Sequence, residues 1–287
     1  MEAIMTARKI PPPLPGASSG SWVPYQLPGI DVPLKRWSGA RRDGVPTIDK
    51  HYVFREDQVR ELAWAIQPHD GGAATPSLLA GPKGCGKTSL VLQVAAHCNQ
   101  PVMRVNLNVG TTTRHLKGRV GAEDGSTVFV DGVMTIAMER GYWLLLDEVS
   151  GATPPVALCL FPALEFDPPG EVVLEDAQPP RYVKRHADFR VFATDNTIGA
   201  AQEDSRFNFG GTNPEVNEAL LDRFGSFIQC SYMSEEHEFQ AILAKVPGID
   251  QDVLEGMCRC AKNVRISEEI GSGFSTRMVL EWARRYQ

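Results

Sequence analysis

The residues with the clearest chemical potential form one run, Gly81-Pro82-Lys83-Gly84-Cys85-Gly86-Lys87-Thr88-Ser89. Its G-x-x-x-x-G-K-T spacing divides the work by residue type. Glycines let the backbone curl so that successive N–H groups point at phosphate oxygens, Lys87 offers a cation to the β- and γ-phosphates, and the Thr88 hydroxyl is an oxygen ligand for Mg²⁺. Gly81, Pro82, Lys83, Gly84, Cys85, Gly86, Lys87, Thr88 and Ser89 are therefore expected to bind ATP. Lys83 and Cys85 stand at variable positions of the loop and receive no catalytic task.

A second pair, Asp147-Glu148, directly follows the apolar run 142–146. Carboxylates at the C-terminal end of a buried parallel strand lie where ligands bind in such sheets. Asp147 is expected to hold Mg²⁺ through water and Glu148 to polarise the attacking water. In a small-molecule kinase, where the acceptor hydroxyl arrives with the substrate, a water activator would waste ATP, so hydrolysis is the expected chemistry. Asn196, at the end of the run 189–194, is suitably placed to orient the lytic water or sense the γ-phosphate, although an Asn at a strand end also forms turns. Arg223, in Leu220-Leu221-Asp222-Arg223-Phe224, has two readings. It is either an ion-pair partner of Asp222 or an arginine finger reaching the ATP of the next subunit. Arg277, in Ser275-Thr276-Arg277, is either a surface arginine or a γ-phosphate contact from a helical lid.

These side chains need a scaffold that brings strand ends together. The run 77–80 reads as a short apolar strand entering the glycine loop, followed by a helix with Leu90, Val91, Val94 and Ala95 on one face. Runs 101–107, 142–146 and 189–194 read as further strands, the last two covered on both faces, with a helix at 156–165 between them. Such alternation predicts a parallel sheet with crossover helices. Past Cys230 the pattern is helical, at 235–244, 252–263 and 276–286. The expected fold class is α/β, a three-layer α/β/α P-loop domain over 47–229 followed by a small all-helical lid over 230–287. Residues 1–46, which include Pro11-Pro12-Pro13-Leu14-Pro15, read as an extended or disordered arm. Against disorder stand Trp22, Tyr25, Leu34 and Trp37, which can dock on a neighbouring subunit or partner.

Bulk properties narrow the function. A formal net charge of −6 over 287 residues gives no support to a wholesale nucleic-acid binder. Six cysteines at irregular spacings indicate neither a disulfide framework nor a zinc site, and fit free thiols in a reducing cytosol. No run approaches the roughly 20 apolar residues of a membrane helix. The expected location is the cytoplasm, with no membrane partner.

With Pro46-Thr47-Ile48-Asp49-Lys50-His51-Tyr52-Val53-Phe54, Arg104-Val105-Asn106-Leu107-Asn108, the run from Phe189 to Gly199, and Phe274-Ser275-Thr276-Arg277, these segments resemble the MoxR-type AAA+ ATPases. Within that family they look most like the ATPase subunit of aerobic cobaltochelatase. The resemblance covers about Pro46 to the end. It implies a homo-oligomer, a hexameric ring with ATP between subunits, that remodels a protein client; in the family this client often carries a von Willebrand A domain. It also makes 116–133 the helix-2 insert and 170–186 the pre-sensor hairpin, the elements that touch the client. By residues alone each is a β-hairpin with turn signals, and the basic cluster Arg181, Lys184, Arg185 and His186 is a solvated face. Two other readings stay open: an ATP-gated assembly scaffold with little turnover, and a translocase stimulated by nucleic acid. The presence of Glu148, Asn196 and Arg223 favours hydrolysis over the first. The acidic balance and the lack of a nucleic-acid module weigh against the second.

Overall fold

The computed structural model describes residues 20–68, 73–123, 126–196, 219–267 and 274–287. The chain opens with a hairpin of β1 (Trp22–Gln26) and β2 (Pro33–Trp37), then α1 (Glu56–Ala65) and β3 (Ser77–Ala80). The glycine loop leads into α2 (Lys87–His97), β4 (Val102–Asn106) and the short α3 (Thr113–Leu116). A second hairpin, β5 (Gly118–Glu123) and β6 (Ser126–Asp131), precedes α4 (Val133–Arg140) and β7 (Trp143–Asp147). After α5 (Pro154–Leu164) comes a third hairpin, β8 (Glu171–Leu174) and β9 (Arg181–Lys184), then β10 (Arg190–Asp195) and β11 (Ser226–Gln229). Three helices follow: α6 (Glu235–Lys245), α7 (Gln251–Ile266) and α8 (Thr276–Tyr286).

Five strands form a parallel sheet in the order β11-β3-β10-β7-β4. Successive side chains of a strand point to opposite faces, so each apolar run feeds two cores. Leu144 and Leu146 of β7 join one core with α4 and α5; Trp143 and Leu145 join the other with α1 and α2. The continuous apolar runs seen in the sequence are the consequence of that double burial. Chain order reverses between β3 and β10, which leaves a crevice at the C-terminal strand ends.

The lid helices have their own small core around Ile242, Leu254, Met257 and Val279. Each starts at a polar cap. The side chains of Ser234, Asp250 and Ser275 accept hydrogen bonds from backbone N–H groups in the first turns of α6, α7 and α8. Glu238, fully buried, takes a bidentate pair from Arg265 at 2.7 and 2.9 Å, tying α6 to α7.

One expectation fails at the N-terminus. The segment 20–46 is not a disordered arm: β1 and β2 pair antiparallel and lie against α2. Leu27, Val32 and Leu34 are buried in the α1/α2 core, each contributing up to about 1.5–3 kcal/mol by area. Tyr25 Oη bonds His97 Nδ1 at 2.9 Å, and Trp22 and Trp37 meet edge to face at 5.6 Å. Tyr25 and Leu34, noted in the sequence, therefore dock on this chain's own core, and Trp22 and Trp37 pack on one another. The proline run 11–15 lies outside the described residues.

Candidate nucleotide site

The loop after β3 bends because only glycine fits at its start. A Cβ on Gly81, whose φ is +152°, would lie 1.8 Å from the Cys230 carbonyl oxygen. Gly86, with φ +104°, turns the chain into α2, so Lys87 begins that helix and the N–H groups of its first turn face the crevice. The Lys87 ammonium is buried and donates to Gly81 O at 2.7 Å, Pro82 O at 2.9 Å and Asn196 Oδ1 at 2.8 Å. Loop and β10 are thereby joined through one cation.

Asp147 is the second hub. It is buried, and its Oδ1 accepts from Thr88 Oγ1 at 2.7 Å and from Thr194 Oγ1 at 3.0 Å. Its Oδ2 accepts from Arg104 Nε of the adjacent strand β4. Glu148 follows in the left-handed region at φ 56°, ψ 57°, a conformation costing a non-glycine residue about 1–3 kcal/mol. The backbone is held there from both sides: Glu148 N–H donates to Thr194 Oγ1 at 3.3 Å, and Ser150 N–H to Asp195 Oδ2 at 3.0 Å. This turn leaves the Glu148 carboxylate exposed at the crevice, 3.5 Å from Asn106 Nδ2.

A cleft of about 510 Å³ lies over these groups. The α/β half contributes the loop from Lys83 to Ser89, together with Arg104, Asn106, Asp147, Glu148 and Asn196. The segment before α1 contributes Asp49, His51, Tyr52 and Val53, and the lid contributes Ile242, Lys245, Arg277 and Leu280. The lid sits close: Tyr232 Oη donates to Lys83 O at 2.9 Å, and a Cβ on Gly84 would meet Ser275 Cβ at 2.5 Å. Of the residues singled out in the sequence, all of 83–89 together with Asp147, Glu148, Asn196 and Arg277 line this one cleft.

Arg223 does not. Its guanidinium stacks 3.6 Å over the Phe161 ring of α5, and Nη1 donates to Ala219 O at 2.7 Å. Sequence reasoning missed Arg104, Asn106 and Thr194 as members of the site. The available signal was register: Asn106 pairs with Asp147, so both strands end at the same level.

Comparison with known proteins identifies the scaffold. The family model described as an AAA domain of the dynein-related subfamily matches residues 76–224. Aerobic cobaltochelatase subunit CobS from Sinorhizobium is 30% identical over 270 residues, covering 89% of this chain and 77% of that protein. The chain is a MoxR-type AAA+ ATPase. Gas vesicle ATPase GvpN from Haloferax mediterranei is 27% identical, with 81% of this chain and 70% of that protein covered. The Thermotoga maritima RuvB Holliday junction branch migration motor superposes with a TM-score of 0.52 at 15% identity. That match covers 84% of this chain and 64% of RuvB, less than two thirds of its length, and shows the fold alone. As a family member, this AAA+ protein binds nucleotide and is an ATP hydrolase.

The basic cluster on the third hairpin of the AAA+ domain is only in part a solvated face. Arg185 turns inward, its guanidinium donating to the carbonyls of Ala163, Glu165 and Ala74 and lying over Phe189. Burial lowers its pKa to about 10. Arg181 reaches the second hairpin and pairs with Asp131 at 2.6 Å. Both cations serve packing, and Lys184 and His186 remain exposed. Among the described residues no helix is long and apolar enough to cross a membrane.

Proposed function

We propose that this AAA+ ATPase works as a cytoplasmic homo-oligomeric ring, a hexamer, with each ATP shared between the cleft of one subunit and Arg223 of the next. The observation that carries the reading is the division just described: one cleft gathers loop residues 83–89 with Asp147, Glu148, Asn196 and Arg277, while Arg223 stands apart on Phe161. The loop N–H groups and Lys87 hold the phosphates, and Arg277 reaches the γ-phosphate from the lid. Asp147 and Thr88 offer oxygen donors 2.7 Å apart beside the phosphate loop, a donor set that suits Mg²⁺. When bound there, Mg²⁺ neutralises charge on the β- and γ-phosphates. Glu148, presented by its left-handed backbone, takes the proton of the attacking water, while Asn196, held by Lys87, orients that water. Arg223 stabilises charge on the γ-phosphoryl group from across the subunit boundary.

Turnover moves the lid relative to the sheet, and the work is passed to a protein client. The second and third hairpins form the client surface in this reading. They are tied together through Arg181 and Asp131, and they carry the exposed side chains Val120 and Tyr182. A client with a von Willebrand A domain is the one the family resemblance implies; the relative CobS is by name a subunit of an aerobic cobaltochelatase.

The test is a Glu148→Gln trap. It should retain ATP binding while turnover falls by about 10²–10³-fold. In ATP it should accumulate as a ring, read by mass photometry, and retain a von Willebrand A protein supplied in excess. A Glu148→Gln chain that stays monomeric in saturating ATP would sink the shared-site reading, and undiminished turnover would remove Glu148 from the mechanism.

A further inference from the structure

Phosphate binding leaves one chemical feature of the loop unused. Cys85 directly precedes the left-handed Gly86 that opens α2, its Sγ 3.9 Å from Lys87 Nζ and 3.8 Å from the Cys230 carbonyl oxygen. Cys230 follows β11, and its N–H donates to Ala80 O at 2.7 Å, at the residue where the loop begins. Two adjacent parallel strands therefore deliver two cysteines to one spot, where the Cys85 thiol donates to the Cys230 carbonyl oxygen and the two side chains interact. Both are buried by their neighbours, yet Cys85 lines the nucleotide cleft, which gives a small solute a route to it.

The two thiols are set apart chemically. The interaction with Cys230 and the nearby Lys87 charge, opposed by burial, hold Cys85 below the usual thiol range. Cys230 is pushed far up by the same interaction and by burial, so it stays protonated. The other buried thiols have no such partner: burial raises Cys98 to about 12, Cys159 to about 11 and Cys258 to about 12. A thiolate beside a lysine at a helix N-terminus, with a second thiol in contact, is the arrangement of an attacking and a resolving cysteine.

We propose that Cys85 and Cys230 are a peroxide-responsive thiol pair whose disulfide closes the phosphate loop to ATP. The Cys85 thiolate attacks one oxygen of a hydroperoxide such as H₂O₂; the O–O bond breaks, hydroxide leaves, and Cys85 becomes a sulfenic acid. The Cys230 sulfur then attacks the Cys85 sulfur, the S–O bond breaks, and the departing hydroxide takes the Cys230 proton as water. Two electrons pass from the thiols to the peroxide, and a small-molecule dithiol returns them. The bond fastens the loop to the end of β11, two residues before Lys87. Loop N–H groups fixed in this way no longer wrap the phosphates. Bound ATP, which covers the cleft, protects the thiols.

The experiment treats the full chain with graded H₂O₂, with and without saturating ATP, then maps thiols by alkylation and mass spectrometry without reduction. A fluorescent ATP analogue reports binding in parallel. Exposed Cys260 serves as an internal control for oxidant dose. The expected result is a Cys85–Cys230 cross-linked peptide accompanied by at least about tenfold weaker nucleotide binding. Dithiothreitol should reverse both, and ATP should suppress both. In Cys230→Ser, dimedone should trap a sulfenic acid on Cys85 with no cross-link. Should that variant fail to fold, the wild-type peptide map still decides. Both thiols remaining alkylatable at doses that oxidise Cys260 would overturn the proposal, as would a cross-link that leaves nucleotide affinity unchanged.

Discussion

Two arginines of this domain sit in opposite chemical situations. Arg104 leaves β4 and places its Nε on the buried Asp147 carboxylate of β7, inside the nucleotide cleft. Arg223 finds a ring face and one backbone carbonyl, and among the described residues it has no carboxylate partner. Among the described residues its Nε is buried without a hydrogen-bond partner, a deficit of about 1–3 kcal/mol. A cation whose task lies within its own chain is neutralised there. A cation left short of partners on a rigid aromatic shelf is held ready for an anion from outside, and the phosphate of a neighbouring subunit's ATP is that anion in the reading proposed above.

Subunit mixing breaks or confirms this contrast with the largest expected effect. Arg223→Ala should lower kcat by about 10³-fold or more while leaving nucleotide affinity nearly unchanged. Mixed with Lys87→Ala subunits, it should recover activity, because the intact cleft of an Arg223→Ala subunit meets the intact Arg223 of a Lys87→Ala neighbour. Arg104→Ala mixed with Lys87→Ala should recover nothing, since both defects fall in a subunit's own cleft. Steady-state ATPase rates against mixing ratio read the outcome. Recovery in the second mixture, or none in the first, would reverse the assignment of the two arginines.

Sequence and structure agree where the signal is local. Gly81 to Thr88 was legible because the loop's backbone geometry depends on its own glycines, and β7 and β10 because strands buried on both faces must be continuously apolar. The Arg104–Asp147 contact was not legible, since it depends on β4 lying beside β7, and strand order is set by pairing between distant segments. The first hairpin was hidden for another reason. Pro24 and Pro33 lie inside or at the start of its strands, and proline argues against a strand except at an edge. It is a two-stranded edge structure, stabilised by packing on α2 rather than by propensity. Arg185 misled in the opposite direction: a basic run in sequence looks solvated until Ala163, Glu165 and Ala74 present their carbonyls to it.

Within the cleft, Arg104 itself offers a smaller effect. Removing it leaves the buried Asp147 carboxylate with two hydroxyl donors and no cation. Arg104→Ala should therefore bind Mg²⁺–ATP more dependently on Mg²⁺ concentration, with apparent affinity changed by about tenfold, because loss of a charged hydrogen bond is worth about 1.5–3 kcal/mol and the half-exposed guanidinium is discounted for solvent. Titrating Mg²⁺ at fixed ATP checks it. A Mg²⁺ dependence identical to wild type would show that Arg104 does not tune Asp147.

The smallest expected effect concerns the clasp between the cleft's two halves, where Lys245 of α6 pairs with Asp49 ahead of α1. Burial alone would raise the Asp49 pKa, but the Lys245 hydrogen bond, the His51 N–H and the lysine charge outweigh it and hold the carboxyl below its usual range. A carboxyl depressed in the folded state stabilises closure fully above its unfolded value, and that contribution is lost as pH falls through the folded value. The pair is partly exposed, so its worth is about 0.2–1 kcal/mol, less than about sixfold in nucleotide affinity. Lys245→Ala should bind nucleotide more weakly than wild type at neutral pH, and the gap should narrow as pH falls toward about 4 and below. Asp49→Asn should erase the gap already at neutral pH. If the difference between wild type and Lys245→Ala instead stays constant across that range, Lys245 acts on the nucleotide directly and not through Asp49.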